Sequence, residues 1–214
     1  SARTFRLIEG GLHGLRVVIV LSGAGRDNAR RATELLIDGH RPSLVVSAGF
    51  AGGLSSELKR HDILVADRLL SADEKPIDLS PALPLSNEPG VHQGPLLTVD
   101  HVVGSPSERQ SLRQRYGALA ADMETYAVAE ACLARQVAFA SVRVINDVAD
   151  ETLPRDVEHL LRQRTGAARL GAALGAVWRR PASLKAMYHL HENALVASDR
   201  LARFVSDRLR VASR

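Results

Sequence analysis

Two glycine clusters, each following directly on an apolar, β-branched run, constrain this chain more than any other feature. Leu15-Arg-Val-Val-Ile-Val-Leu21 is nearly continuous in apolar residues, the mark of a strand buried on both faces. It stops at Ser22-Gly-Ala-Gly25, after which Asn28-Ala-Arg-Arg-Ala-Thr-Glu-Leu-Leu-Ile37 has helical spacing and ends near Gly39. Pro42-Ser-Leu-Val-Val-Ser47 is the next strand and runs straight into Gly49-Phe-Ala-Gly-Gly53. Strand, glycine turn, helix, strand, glycine turn is the grammar of a parallel or mixed sheet covered by helices.

The rest of the chain extends that pattern. Asp62–Ala66, Leu96–Val99 and Val137–Ile145 read as further strands, Ser107–Tyr116 as a polar, Arg-rich helix and Asp122–Arg135 as an Ala-rich one. Ser71 to Gly94 is rich in Pro, Ser and Asp without periodicity and reads as a long surface loop. From Pro154 onward the pattern is helical, with Pro181 splitting the region in two. At 214 residues the whole is one domain, residues 1–214, with a basic helical C-terminal segment, 155–214.

Charge is distributed unevenly. Residues 155–214 carry 12 Lys and Arg against 5 Asp and Glu, whereas the first 154 residues carry 16 against 19. A basic tail on a mildly acidic body, with aromatics at only 4%, argues against nucleic acid as a partner. The last segment places Leu184, Met187, Tyr188, Leu195, Leu201, Phe204 and Leu209 on one face of an amphipathic helix. Its basic outer face is either solvated or a contact for an anionic membrane surface. One cysteine cannot form an internal disulfide, and no Cys/His spacing suits a metal. A soluble domain of the cytoplasm is expected.

Glycines after a strand let the backbone approach a ligand, and the next helix points its N-terminal amides at that ligand. Gly23 and Gly25 therefore suit a phosphate, a ribose or a pyrophosphate, with Arg26 able to add a charge or simply face solvent. With Ala29 they also form a partial dinucleotide fingerprint. The second strand ends in Ala48-Gly49-Phe50, however, without the acidic residue that holds an adenosine ribose. A tight turn without a ligand is the third reading. Phe50 is a lid or a core plug. Glu124 either accepts sugar hydroxyls over Met123 or complements a helix dipole. Asp147, closing a strand after Asn146, is placed to be a general acid or to form a turn.

Ser22-Gly-Ala-Gly-Arg-Asp-Asn-Ala29, Ala48-Gly-Phe-Ala-Gly-Gly-Leu54, Asp62-Ile-Leu-Val-Ala66, Ala121-Asp-Met-Glu124 and Val142-Arg-Val-Ile-Asn-Asp-Val-Ala-Asp150 occur in that order. Together they resemble the nucleoside phosphorylase superfamily, most closely its methylthioadenosine/adenosylhomocysteine nucleosidase members. Trp178-Arg-Arg-Pro-Ala-Ser-Leu184 is similar to the tail of the hopanoid-associated phosphorylase branch, whose substrate is an adenosylated lipid.

The resemblance implies a three-layer α/β/α sandwich around a central mixed sheet, usually a homo-oligomer, cleaving the bond between a purine and ribose. It implies Asp147 as the acid at N7 of the base, Asn146 as its assistant, Glu124 as the ribose anchor and Met123 as sugar packing. Val103, Ala51 and Gly52 follow as further substrate contacts. Gly23, Gly25 and Arg26 fall on the nucleophile side, where phosphate is the co-substrate of phosphorylases and water that of hydrolases. No other cofactor is implied.

Three departures stand out. The family begins with an additional central strand leading into a glutamate that activates water, and Glu9 is too close to the Leu15 strand to replace it. A truncated chain or an altered activity is the corresponding expectation, and a non-catalytic nucleoside-binding protein of the same fold is the alternative function. Phe50 stands where a small Ser is usual. Asp100-His-Val-Val-Gly104 lacks the aromatic that many relatives set against the purine, which leaves His101 as a candidate contact.

Overall fold

Alternation along one strand divides the core. In β8 (Ala138–Asp147), Ala140, Val142 and Val144 pack with Ala197 and Phe204 of the C-terminal helix, while Phe139 and Ile145 pack on the opposite side. There they meet Ala29 and Ile37 of α1 (Arg26–His40) and Val128, Ala129 and Cys132 of α3 (Thr125–Ala134). A sheet with helices on both faces results, three layers deep.

The computed structural model describes residues 5–80, 82–84, 87–151 and 182–213, with side chains in the last stretch described from residue 192. The remaining elements are β1 (Arg6–Leu12), β2 (Leu15–Leu21), β3 (Leu44–Gly53), β4 (Ile63–Ser71), β5 (Ile77–Asp78), β6 (Val91–Thr98), α2 (Pro106–Tyr116), β7 (Ala120–Asp122) and α4 (Ala182–Ala212). Six strands form one sheet in the order β5-β4-β6-β7-β3-β8. The pairs β4–β6, β6–β7 and β3–β8 are parallel and β3–β7 and β4–β5 antiparallel, so the sheet is mixed, as expected. It curls until Ile63–Val65 of β4 also pairs antiparallel with Val142–Val144 of β8. The strand ends of β3, β7 and β8 are thereby drawn together.

Several expectations change. Leu15–Leu21 is a strand, but among the described residues it pairs only with β1 in a separate hairpin, and Ile19 and Leu21 are about half exposed, at 50% and 52%. An apolar run favours a strand wherever it lies; which faces are covered depends on distant partners. Among the described residues, no strand joins β2 to the main sheet, and Leu44–Ala51 of β3 pairs with β8 alone. The additional central strand implied by the resemblance is therefore not found among them.

Gly49–Gly53 is not a turn. It continues β3, and its glycines are required by close approach: a Cβ at Gly49 would lie 3.3 Å from Arg143 Nη1, and one at Gly52 2.9 Å from Asp147 Oδ2. Asp122 ends β7 instead of opening the Ala-rich helix, and the region from Ser71 to Gly94 contains β5 and the start of β6. Residues 152–181 lie outside the described set, and with them the helical reading from Pro154 and residues Trp178–Pro181 of the tail resemblance; α4 follows directly on Pro181. No helix among the described residues is long and apolar enough to cross a membrane.

Beneath these strand ends lies a buried ion pair. Arg143 Nη2 is 2.8 Å from Asp122 Oδ2, and the two side chains are 3% and 0% exposed. The same guanidinium donates to the Ser47 carbonyl at 2.9 Å, Ser47 Oγ at 2.8 Å and Thr125 Oγ1 at 2.5 Å, tying β3, β7, β8 and α3 together. Removing one partner of such a pair leaves an uncompensated buried charge. Arg143→Met is thus expected to cost about 3–5 kcal/mol in urea unfolding, and a loss below about 1 kcal/mol would contradict the structural role given to the pair.

Candidate active site

Asp122 shapes the first half of the site. Its Oδ2 accepts from Thr125 N at 3.0 Å, satisfying the first amide of α3, and also from Thr125 Oγ1, while Oδ1 accepts from Thr98 Oγ1 at 2.7 Å. Met123 and Glu124 are left in the bend between β7 and α3. The Glu124 side chain folds back: Oε1 accepts from Gly25 N at 2.8 Å and Oε2 from Met123 N at 3.3 Å. Burial pushes the Glu124 carboxyl above the usual carboxylate range and Asp122 adds to the rise, against the opposing pull of the Gly25 amide and Arg143.

The first glycine loop thus meets Glu124 directly. Gly25, at φ 94°, holds the left-handed backbone that aims its amide at the carboxylate. The donor that the sequence offered to an external anion is occupied by the protein's own carboxylate. Arg26 is committed as well: it donates to Glu74 at 2.8 Å, Ser71 Oγ at 2.9 Å and the Thr98 carbonyl at 3.0 Å, and it ion-pairs with Asp100 at 2.9 Å. Gly23, at φ 73°, turns the chain between β2 and α1.

The second half lies at the end of β8. Asp147 Oδ2 accepts from the guanidinium of Arg109, while Oδ1 takes no protein donor among the described residues. Burial pushes the Asp147 carboxyl above its ordinary range; Arg109 and Arg60 oppose the shift, and Glu151 adds to it. The Asn146 carbonyl accepts from Arg60, and Asn146 Oδ1 is buried without a partner among the described residues. An unpaired acceptor at such a place is a group that a ligand can satisfy.

Between these halves is a cleft of about 270 Å³. Asp147, Asn146, Glu124, Met123, Val103, Ala51 and Gly52, all named from sequence, line it together. Gly23, Gly25 and Arg26 do not line it; Gly25 reaches it through Glu124. Phe50 is 44% exposed on the cleft wall, which excludes a core plug, and His101 lines the cleft while bonding Glu108 at 2.6 Å. Glu9 lies on the separate β1–β2 hairpin, paired with Arg16 at 3.1 Å, outside the cleft. The single cysteine, Cys132, is buried and its thiol is pushed up to about 11 by burial, so it is no nucleophile here.

Two arginines escaped the sequence reading. Arg143 could have been found, because a lone charge within an apolar strand must have a partner. Arg109 could not: α2 carries three arginines at positions 109, 113 and 115, and nothing in their spacing distinguishes the one buried residue of that helix.

The phosphorylase superfamily profile matches residues 1–178, and the chain belongs to that superfamily. Its relatives include the 5′-methylthioadenosine/S-adenosylhomocysteine nucleosidase of Baumannia cicadellinicola, 30% identical over 67% of this chain and 73% of that protein. The nucleosidase of the same name from Oceanobacillus iheyensis is 27% identical over 66% of this chain and 72% of the relative. Among solved structures, the Neisseria meningitidis enzyme of that name, in complex with methylthio-immucillin-A, superposes with a TM-score of 0.69 over 97% of this chain and 86% of that one, at 23% identity. That likeness establishes the α/β fold.

Gly52 supplies a direct test of the cleft geometry. Since a Cβ there would lie 2.9 Å from a carboxyl oxygen already held by Arg109, Gly52→Ala is expected to displace Asp147. Glycosidic cleavage, followed by release of free base, should fall about 10- to 100-fold. Full activity in this variant would contradict the placement of Asp147.

Proposed function

We propose that this chain hydrolyses the N-glycosidic bond of a 5′-substituted adenine nucleoside. Cleavage of purine nucleosides is the activity class of the nucleosidase relatives, and the observation that carries the reading here is a single cleft flanked by two differently held carboxyl groups. Glu124 is fixed by backbone amides, and Asp147 is fixed through one oxygen only.

Cleavage passes through an oxocarbenium-like state, in which the sugar gains positive charge and the base negative charge. Asp147, protonated, gives its proton to N7 of the departing base through the open Oδ1. Glu124 accepts the ribose hydroxyls and places negative charge near the sugar as its positive charge grows. The bond from C1′ to N9 breaks, water adds its oxygen to C1′, and the proton released from that water restores Asp147 directly or through solvent. Met123 offers an apolar floor to the sugar, and Asn146 Oδ1 an acceptor to a base amino group.

Water is favoured over phosphate by the occupied donors. The Gly25 amide serves Glu124 and the Arg26 guanidinium serves Glu74 and Asp100, so a phosphate on that side would meet a carboxylate without a free cation from this loop.

Release of free base from methylthioadenosine, adenosylhomocysteine, adenosine and inosine, measured with and without phosphate, tests the proposal. Base from the 5′-thio compounds irrespective of phosphate is expected; no base from any of them would contradict it. Asp147→Asn should lower kcat about 10²- to 10⁴-fold, the scale of general acid catalysis, and a drop below threefold would remove Asp147 from the role. The acid must carry its proton, and burial raises its pKa, so kcat should decline only as pH rises through a value above the ordinary aspartate range. A decline centred in the ordinary range would contradict the assignment.

A further inference from the structure

We infer that Arg109 is a positioning residue that orients the Asp147 carboxyl for its reaction, an inference that rests on the reading of Asp147 as the acid. α2 is mostly polar, with Leu112 and Tyr116 half-buried against the core, and Arg109 is its one fully buried residue, with a side chain 1% exposed. Burying a guanidinium is costly, so its retention calls for a partner that uses it. The fork of Arg109 grips three acceptors around the end of β8: the Val148 carbonyl at 2.6 Å, the Val103 carbonyl at 3.1 Å and Asp147 Oδ2. The planar guanidinium reaches the three acceptors through its two terminal nitrogens from one rigid frame, which the flexible, point-like ammonium of a lysine would not provide.

Two consequences follow from this geometry. Holding Oδ2 leaves Oδ1, which takes no donor among the described residues, as the one atom that the carboxyl can present to the base. The same guanidinium joins Val103, on the wall where the base would lie, to Asp147, so the wall and the acid move together. Arg60 secures the backbone through the Asn146 carbonyl and pairs with Glu151, without bonding the Asp147 carboxyl. The charged groups facing Asp147 are therefore Arg109 from α2, Arg60 from the loop before β4, and Glu151 from the loop after β8.

The test compares Arg109→Met and Arg109→Lys in the full chain and in the Asp147→Asn background, with circular dichroism as the check of folding. Arg109→Met should lower kcat about 30- to 100-fold with KM within about threefold, because orientation is lost while binding is kept. Losing the cation should move the alkaline limb of the kcat profile to higher pH, a change that a merely structural residue would not produce. In the Asp147→Asn background the same substitution should cost less than about threefold, because the group it orients is gone. Arg109→Lys keeps the charge but not the fork, so kcat should fall about tenfold with the limb in place, and this variant decides the matter if Arg109→Met does not fold.

Unchanged kcat in a folded Arg109→Met variant, or equal losses in both backgrounds with an unmoved limb, would overturn the role of Arg109 while leaving Asp147 as the acid. For Arg109→Lys, unchanged kcat or an equal loss in both backgrounds would do the same. Full activity in Asp147→Asn would instead overturn the underlying reading, and this inference with it.

Discussion

The buried pair of Arg143 and Asp122 is the constraint on which the rest of the site depends. Two charges taken out of water are tolerable only if nearly every donor and acceptor they carry is satisfied. Here the guanidinium spends its donors on Asp122, on Ser47 and on Thr125, and the carboxylate takes Thr98 as well. Those partners come from β3, β6, β7, β8 and α3, so one network fixes how the strand ends meet. Glu124 follows Asp122 by two residues and Asp147 follows Arg143 by four. The separation of the two carboxyls to which the proposal gives the chemistry is therefore set by this pair.

The same network explains the second glycine cluster. A close succession of glycines in sequence suggests a turn, and the chain instead runs straight through as β3. Bulk is excluded because Arg143 passes beneath Gly49 and Asp147 sits against Gly52. The ordered motifs, the mixed sheet and seven cleft residues were legible because they depend on local pattern and on family likeness. The separate hairpin was not, since the apolar run of β2 is the same whether its faces are covered or half open. Nor was Arg109, because its burial depends on where the end of β8 falls, and that is decided by contacts nearly forty residues away in sequence.

Electrostatics then separates two chemistries available to one fold. Gly25 and Arg26 stand where an anion could be received, and each is instead turned toward the protein's own groups. In the proposed hydrolysis Glu124 supplies the negative charge near the sugar, which suits a cationic transition state and opposes a phosphate ion. In the same proposal Asp147, held by one oxygen, assists the departing base. In a dissociative cleavage the leaving group carries most of the demand, so a well-oriented acid matters more than a strong nucleophile.

The central claim is cleavage by water at C1′. Turnover of methylthioadenosine in ¹⁸O-labelled water containing phosphate, followed by mass spectrometry of the sugar, tests it most directly. The account predicts one ¹⁸O atom in the released methylthioribose and no sugar 1-phosphate. Methylthioribose 1-phosphate as the product would contradict it.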